Sequence, residues 1–67
     1  MKTNLKFNNE TAYEKAFTFF NGNGECFRSN RNDLTLEFYY ERDLLIAQSK
    51  CKSLLGLASK DMACVII

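Results

Sequence analysis

The spacing of apolar residues along this chain changes between two periods, and the order of the changes predicts a fold. Stretches in which alternate residues are apolar are typical of strands, and they lie at 3–7, 25–29, 34–40 and 62–67. Stretches with apolar residues three or four positions apart are typical of helices, and they lie at 11–21 and 43–55. The predicted order is therefore strand–helix–strand–strand–helix–strand.

The first helix carries one apolar stripe and recognisable signals at both ends. We expect it to begin at Thr11, where a capping box forms if the hydroxyl accepts a backbone N–H while Glu14 reaches back. The Asn-Gly-Asn-Gly run at 21–24 should end it, because both residue types tolerate the left-handed conformation. The stripe consists of Ala12, Tyr13, Ala16, Phe17 and Phe20.

The second and third strands flank the turn-forming residues 30–33 and predict a hairpin. The expected cross-strand pairs are Cys26 with Glu37, Phe27 with Leu36, Arg28 with Thr35, and Ser29 with Leu34. This register gives one apolar face, made of Phe27, Leu34, Leu36, Phe38 and Tyr40. The opposite face is made of Cys26, Arg28, Thr35, Glu37 and Tyr39. A slip by one residue would mix the two faces, so their separation supports the pairing.

The last third of the chain predicts a helix and a strand, with two points left open. Gly56 is the expected C-terminal cap of the helix, with Leu57 folding back on its last turn. A rival interpretation makes 44–49 a strand of a second hairpin. The final strand, 62–67, is apolar throughout. Either Met62, Cys64 and Ile66 or the alternate set Ala63, Val65 and Ile67 would face the helices.

The predicted architecture is a ferredoxin-like α+β sandwich in one domain, residues 1–67, with two helices on one face of a four-stranded antiparallel sheet. In that topology the first and third strands are central, and the last strand lies beside the first. The fold alone indicates no function, because one fold serves many.

Composition excludes several classes of function. The net charge is +1, from nine basic and eight acidic residues without a basic stripe, which argues against a dedicated DNA-binding protein. His is absent and the three Cys form no CxxC motif, so we predict no metal and no cofactor. The start has no signal-peptide pattern and no apolar run is long enough to span a bilayer. We therefore expect a cytoplasmic protein with reduced thiols and no membrane partner.

Catalysis is not predicted, because neither a nucleophile–base pair nor a carboxylate pair in a pocket is indicated by the sequence. The Gly residues at 22 and 24 follow a helix instead of preceding one, so they do not predict a phosphate-binding loop. RNA binding through the open sheet face is the alternative function. It is the weaker of the two, because Tyr39 is the one outward aromatic residue of the third strand and Glu37 repels phosphate.

The sequence favours a non-catalytic protein-interaction module that binds a protein partner or forms a homodimer through its open sheet face or its last strand. The candidate partner-binding residues are Lys6, Arg28, Thr35, Glu37, Tyr39, Val65 and Ile67. Small single-domain chains without catalytic residues are common among phage and mobile-element products that inhibit host enzymes or defence complexes sterically. An anti-defence inhibitor is therefore the specific form of this expectation.

Overall fold

The described part of the chain forms four strands and two helices in the order that the sequence pattern predicts. The computed structural model describes residues 3–24 and 27–66. The strands are β1 (Thr3–Phe7), β2 (Phe27–Asn30), β3 (Thr35–Phe38) and β4 (Met62–Ile66). The helices are α1 (Glu10–Gly22) and α2 (Glu41–Leu54), and a 3-10 turn, Ser59–Asp61, precedes β4. The strands are antiparallel in the order β2-β3-β1-β4, which confirms the ferredoxin-like α+β fold.

The core lies between the two helices and one face of the sheet. The buried residues of α1 and α2 are Ala12, Tyr13, Ala16, Phe20, Leu44, Ala47 and Cys51. The buried apolar residues of the strands are Leu5, Phe7, Leu36, Phe38 and Met62. Phe20 is fully buried, and its ring meets those of Phe38 and Phe27 edge-on at centroid distances of 5.8 and 6.4 Å.

The first helix begins earlier than the sequence pattern predicts, so the prediction of a capping box at Thr11 is wrong. The cap is Asn9, which has extended backbone angles and accepts the Ala12 N–H on its side-chain oxygen at 2.8 Å. Thr11 lies exposed within the first turn. Glu14 forms an ion pair with Arg31 from the hairpin turn. An Asn in extended geometry directly before the helix therefore replaces Thr as the cap.

Asn9→Ala should destabilise the protein by about 1 kcal/mol, because the Ala12 N–H loses its partner at the start of the helix. Thr11→Ala is the matched control and should change the free energy of unfolding by less than about 0.5 kcal/mol, as exposed substitutions usually do. Urea titration followed by circular dichroism measures both variants. Equal losses in the two would show that the Asn9 cap is not the dominant one.

The register of the hairpin differs from the predicted one by two residues, and residues 27, 28 and 35–38 lie on the sides of the sheet that the sequence predicts. Phe27 lies opposite Phe38, and Arg28 lies opposite Glu37. The predicted pairing fails because Leu34 leaves the strand and enters the turn with a φ of 56°. The four-residue connection therefore comprises residues 31–34 instead of 30–33, and the Phe27 and Phe38 rings lie at a centroid distance of 6.1 Å. A shift by two residues preserves the sides of the sheet.

The sequence pattern predicts Tyr40 on the apolar face, and this prediction is wrong. Its side chain is 64% exposed because the strand ends at Phe38 and Tyr40 becomes the N-cap residue of α2. The helix begins at Glu41, two residues before the predicted start, and its first turn holds Glu41 and Asp43. Negative side chains there interact favourably with the positive end of the helix dipole.

Residues 44–49 are helical, so the rival prediction that they form a strand of a second hairpin is wrong. Gly56 has a φ of +69°, and the Leu57 N–H donates to the Cys51 carbonyl at 3.1 Å, which confirms the predicted reversal after the helix. The structure also shows which residues of the last strand face the helices. Met62 is buried and Cys64 packs against the core, whereas Ala63 lies exposed on the open face.

Candidate interaction face and sheet edge

The open face of the sheet carries two rows of side chains that cross all four strands. The register places Arg28, Glu37, Asn4 and Val65 in one row. The second row is Asn30, Thr35, Lys6 and Ala63. Polar residues fill the β2, β3 and β1 positions of both rows. The apolar members, Val65 and Ala63, both lie on β4.

The open face is therefore polar in its centre, and its apolar members are confined to the β4 edge. Arg28 and Glu37 lie directly opposite one another on adjacent strands, where opposite charges attract. A shallow depression that Asn4, Arg28 and Thr35 help to line covers this part of the face. The Glu37 charge opposite Arg28 reduces the positive potential that a phosphate backbone would need.

Six of the seven predicted partner-binding residues fall in the described part of the chain, and the structure brings them to one side of the sheet. Lys6, Arg28, Thr35, Glu37 and Val65 are members of the two rows. Tyr39 is 73% exposed and borders a second depression with Arg28 and Glu37. Ile67 lies outside the described residues, as does Cys26 of the predicted hairpin.

The hydrogen bonds around β1 show which backbone groups of β4 point outward. The Phe7 N–H donates to the Leu34 carbonyl on the β3 side, at 2.9 Å, whereas the Asn8 N–H donates to Asp61 on the β4 side, also at 2.9 Å. Hydrogen-bonded pairs alternate along an antiparallel ladder. The even-numbered residues of β1 therefore bond to β4, and their partners in the register are Ala63 and Val65.

Met62, Cys64 and Ile66 consequently direct their backbone N–H and C=O groups away from β1. Among the described strands, β4 ends the sheet order and pairs with β1 alone. The strand contains neither charge nor proline, which are two of the devices that protect sheet edges from pairing. This edge is an open template for a further strand.

Apolar side chains also line this edge on the helix side. Lys52 lies close enough to Cys64 to act on its thiol, which identifies the side of α2 that lies above β4. Leu45 is two helical turns before Lys52 and shares that side. Because α2 and β4 run in opposite directions, Leu45 lies towards the Ile66 end of the strand. Leu45 is 51% exposed and Ile66 is 43% exposed.

The two thiols in the described residues differ in environment. Burial raises the pKa of the Cys51 thiol in α2 to about 11. Burial also raises the pKa of the Cys64 thiol, and the positive charge of Lys52 partly offsets this effect. A raised pKa leaves less thiolate at neutral pH, so neither environment favours a nucleophilic thiol.

The free energy of unfolding should fall as the pH rises from 9.0 to about 11, because folded Cys51 keeps a proton that the unfolded chain, with the ordinary pKa of 9.0, releases. Below pH 9 both states hold this proton and the contribution is complete. Cys51→Ala should show a smaller fall over the same interval, since Tyr and Lys titrate in both proteins. Urea midpoints between pH 8 and about 11 measure the difference, and equal slopes would contradict the assignment.

Beyond the sheet, the described residues form an apolar groove but neither a membrane-spanning helix nor a cluster of metal ligands. An apolar groove runs between the helices, lined mainly by Phe19, Leu54 and Leu55. No helix within residues 3–24 and 27–66 is long and apolar enough to cross a membrane. Over the same ranges, no three or more Cys, Asp and Glu side chains cluster in a way that could hold a metal ion.

No protein-family model matches the chain, and neither a curated protein nor a solved structure shows significant similarity to it.

Sequence reasoning found the open-face residues but did not identify the outward residues of β4. Met62, Cys64 and Ile66 matter here through their backbone groups, which carry no signal in the side-chain pattern. The direction of the β4 backbone groups depends on whether the odd- or the even-numbered residues of β1 bond to β4. That alternation follows from the register between strands that are distant in sequence.

Proposed function

We propose that this protein is a non-catalytic protein-interaction module that binds by accepting a strand from its partner at the β4 edge. The observation that carries the proposal is the edge itself, where Met62, Cys64 and Ile66 present backbone donors and acceptors on an uncharged strand. Strand addition uses main-chain hydrogen bonds for affinity and alternate side chains for specificity.

The surroundings of the edge support the same proposal. Val65 and Ala63 supply the apolar part of the open face beside it, and exposed Leu45 and Ile66 supply apolar surface on the helix side. A strand added here would cover apolar surface on both faces of the sheet. The polar centre of the open face would remain in solvent.

Steric inhibition of a host enzyme or defence complex is one specific form of this proposal, because such inhibition requires binding alone. RNA binding is less well supported, since the Arg28 charge lies opposite Glu37 and, among the described residues that border their depression, Tyr39 is the one exposed aromatic residue.

Ala63→Lys should weaken binding at the edge by at least about tenfold, because Lys is a residue that natural sheet edges use to prevent pairing. The matched control is Thr35→Lys. Both positions lie on the open face directly opposite Lys6, on its two neighbouring strands, so each variant adds the same charge next to the same cation. The internal repulsion should therefore be similar in both variants.

Binding of the two variants, whether to a partner protein or to a second copy, is compared with that of the original chain by sedimentation velocity. Circular dichroism confirms that both remain folded. The proposal predicts loss of the complex in Ala63→Lys and its retention in Thr35→Lys. Retention in both variants would place the interface elsewhere, with the groove between the helices as the next surface to substitute.

A further inference from the structure

We propose that the strand accepted at this edge is β4 of a second copy, paired antiparallel across a two-fold axis that passes beside Cys64. This inference rests on the proposed strand-addition function and names its partner. The product would be a dimer with one continuous sheet of eight strands, two sets of the four in the single chain.

The outward backbone groups are placed symmetrically about Cys64. In an antiparallel pairing centred there, Met62 lies opposite Ile66 of the second copy, Cys64 opposite its own equivalent, and Ile66 opposite Met62. Every outward residue of one described edge therefore meets an outward residue of the other, and each such pair can exchange both of its hydrogen bonds. In each pair the outward N–H of one residue faces the outward carbonyl of the other.

Pairing of a strand with itself is favoured by the absence of charge, because a charged residue near the two-fold axis would lie close to its own copy. β4 meets this condition over Met62–Ile66. The opposite edge of the sheet does not, since β2 contains Arg28 and its side chains are mostly exposed and polar. This difference selects β4 over β2 as the self-pairing edge.

The side chains around the axis fit the same arrangement. A two-fold axis perpendicular to the sheet keeps the helices of both copies on one side. On the open face, Val65 would lie opposite Ala63 of the second copy, so the apolar ends of the two rows join in the centre of the dimer. On the helix side, the exposed Leu45 and Ile66 would be covered by the approach of the second α2.

Disulfide cross-linking tests both the partner and the register. In a hydrogen-bonded antiparallel pair the Cα atoms are about 5.5 Å apart, which lies within the range that a disulfide can bridge. The test protein carries Cys26→Ser and Cys51→Ala, so that Cys64 is the remaining thiol. Diamide is added as the oxidant: two Cys64 thiols lose their hydrogens to it and form one S–S bond. Non-reducing electrophoresis then measures the covalent dimer over time.

The control moves the thiol by one residue, with Cys64→Ala and Ala63→Cys in the same background. In the proposed register the two residues at position 63 are about 8 Å apart between Cα atoms, from the strand spacing and rise, which is too far for a disulfide. Cross-linking through Cys64 should be at least about tenfold faster than through position 63. Parallel pairing in register would bring position 63 opposite itself and would remove this difference.

Light scattering of the fully reduced original chain across concentration accompanies the cross-linking. A reversible dimer together with selective cross-linking at Cys64 supports the proposal. Equal cross-linking at the two positions, or a monomer at all concentrations up to the solubility limit, overturns it. If the chain is monomeric but binds another protein in a manner that Ala63→Lys disrupts, self-pairing fails while the strand-addition function stands. If Ala63→Lys affects no binding, both fail.

Discussion

Phe20→Ala should destabilise the protein by about 3–5 kcal/mol, the range found for deleting a buried aromatic side chain. Phe20 is fully buried and its ring contacts Phe27 and Phe38, so its removal opens a cavity between α1 and the hairpin. A chain of 67 residues has a total stability of about 3–10 kcal/mol. We therefore expect a large unfolded fraction at 25 °C, measured by far-ultraviolet circular dichroism.

Phe20→Leu keeps this test within the measurable range, because it removes less volume and should allow a full urea titration. Phe19→Ala is the matched control on the same helix: Phe19 is half-buried at the groove between the helices and should cost less than half as much. Similar losses at the two positions would mean that the aromatic cluster around Phe20 does not dominate the core.

Ala63→Pro should destabilise the fold by about 2 kcal/mol or more, since it removes the N–H that donates towards Lys6 and leaves a ladder carbonyl unpaired. Ile66→Pro should cost less than about 1 kcal/mol in the isolated chain, because the Ile66 N–H points away from β1 and proline is tolerated on that side of an edge strand. The comparison tests the assignment of inward and outward residues on β4.

The two proline variants should also differ in assembly. Ile66→Pro removes one outward donor and should prevent strand addition while the fold survives. Ala63→Pro should instead unfold at a lower temperature than Ile66→Pro, even at low concentration. Thermal unfolding at low concentration and sedimentation at high concentration separate the two effects. If Ile66→Pro were the more destabilised variant at low concentration, the outward residues of β4 would be the odd-numbered ones, and the proposed register would be wrong.

The order of elements could be predicted from the sequence because each depends on local periodicity. The α1 stripe and the alternation in β1 and β3 each place apolar residues on one side, and burial in the core confirms them. The exact ends were less predictable. Asn9 and Thr11 are both good caps, and the choice between them depends on where β1 releases the chain, which is a tertiary effect.

The hairpin register could not be predicted from the local pattern of apolar residues. Registers that differ by two residues bury the same side chains, so the pattern does not distinguish them. The structure chooses through the positive φ of Leu34 and the contact between Phe27 and Phe38. Neither is visible in the sequence, because Leu rarely adopts that conformation.

The candidate site was predictable to a similar extent. Which side of β2 and β3 faces solvent followed from alternation, and so did the exposure of Tyr39. The direction of the β4 backbone groups did not, because it requires the pairing of β1 with both of its neighbours. An interaction that uses main-chain groups is thus invisible to an argument that considers side chains alone.

Amide hydrogen exchange, measured by NMR as a function of protein concentration, is the sharpest test of strand addition at the β4 edge. In the dilute chain the amides of Met62, Cys64 and Ile66 should exchange faster than those of Ala63 and Val65, which bond to β1. At concentrations where the chain assembles, the three outward amides should become protected while the β2 edge remains unchanged. Rapid exchange of these amides in the assembled protein would contradict the claim that β4 is the binding edge.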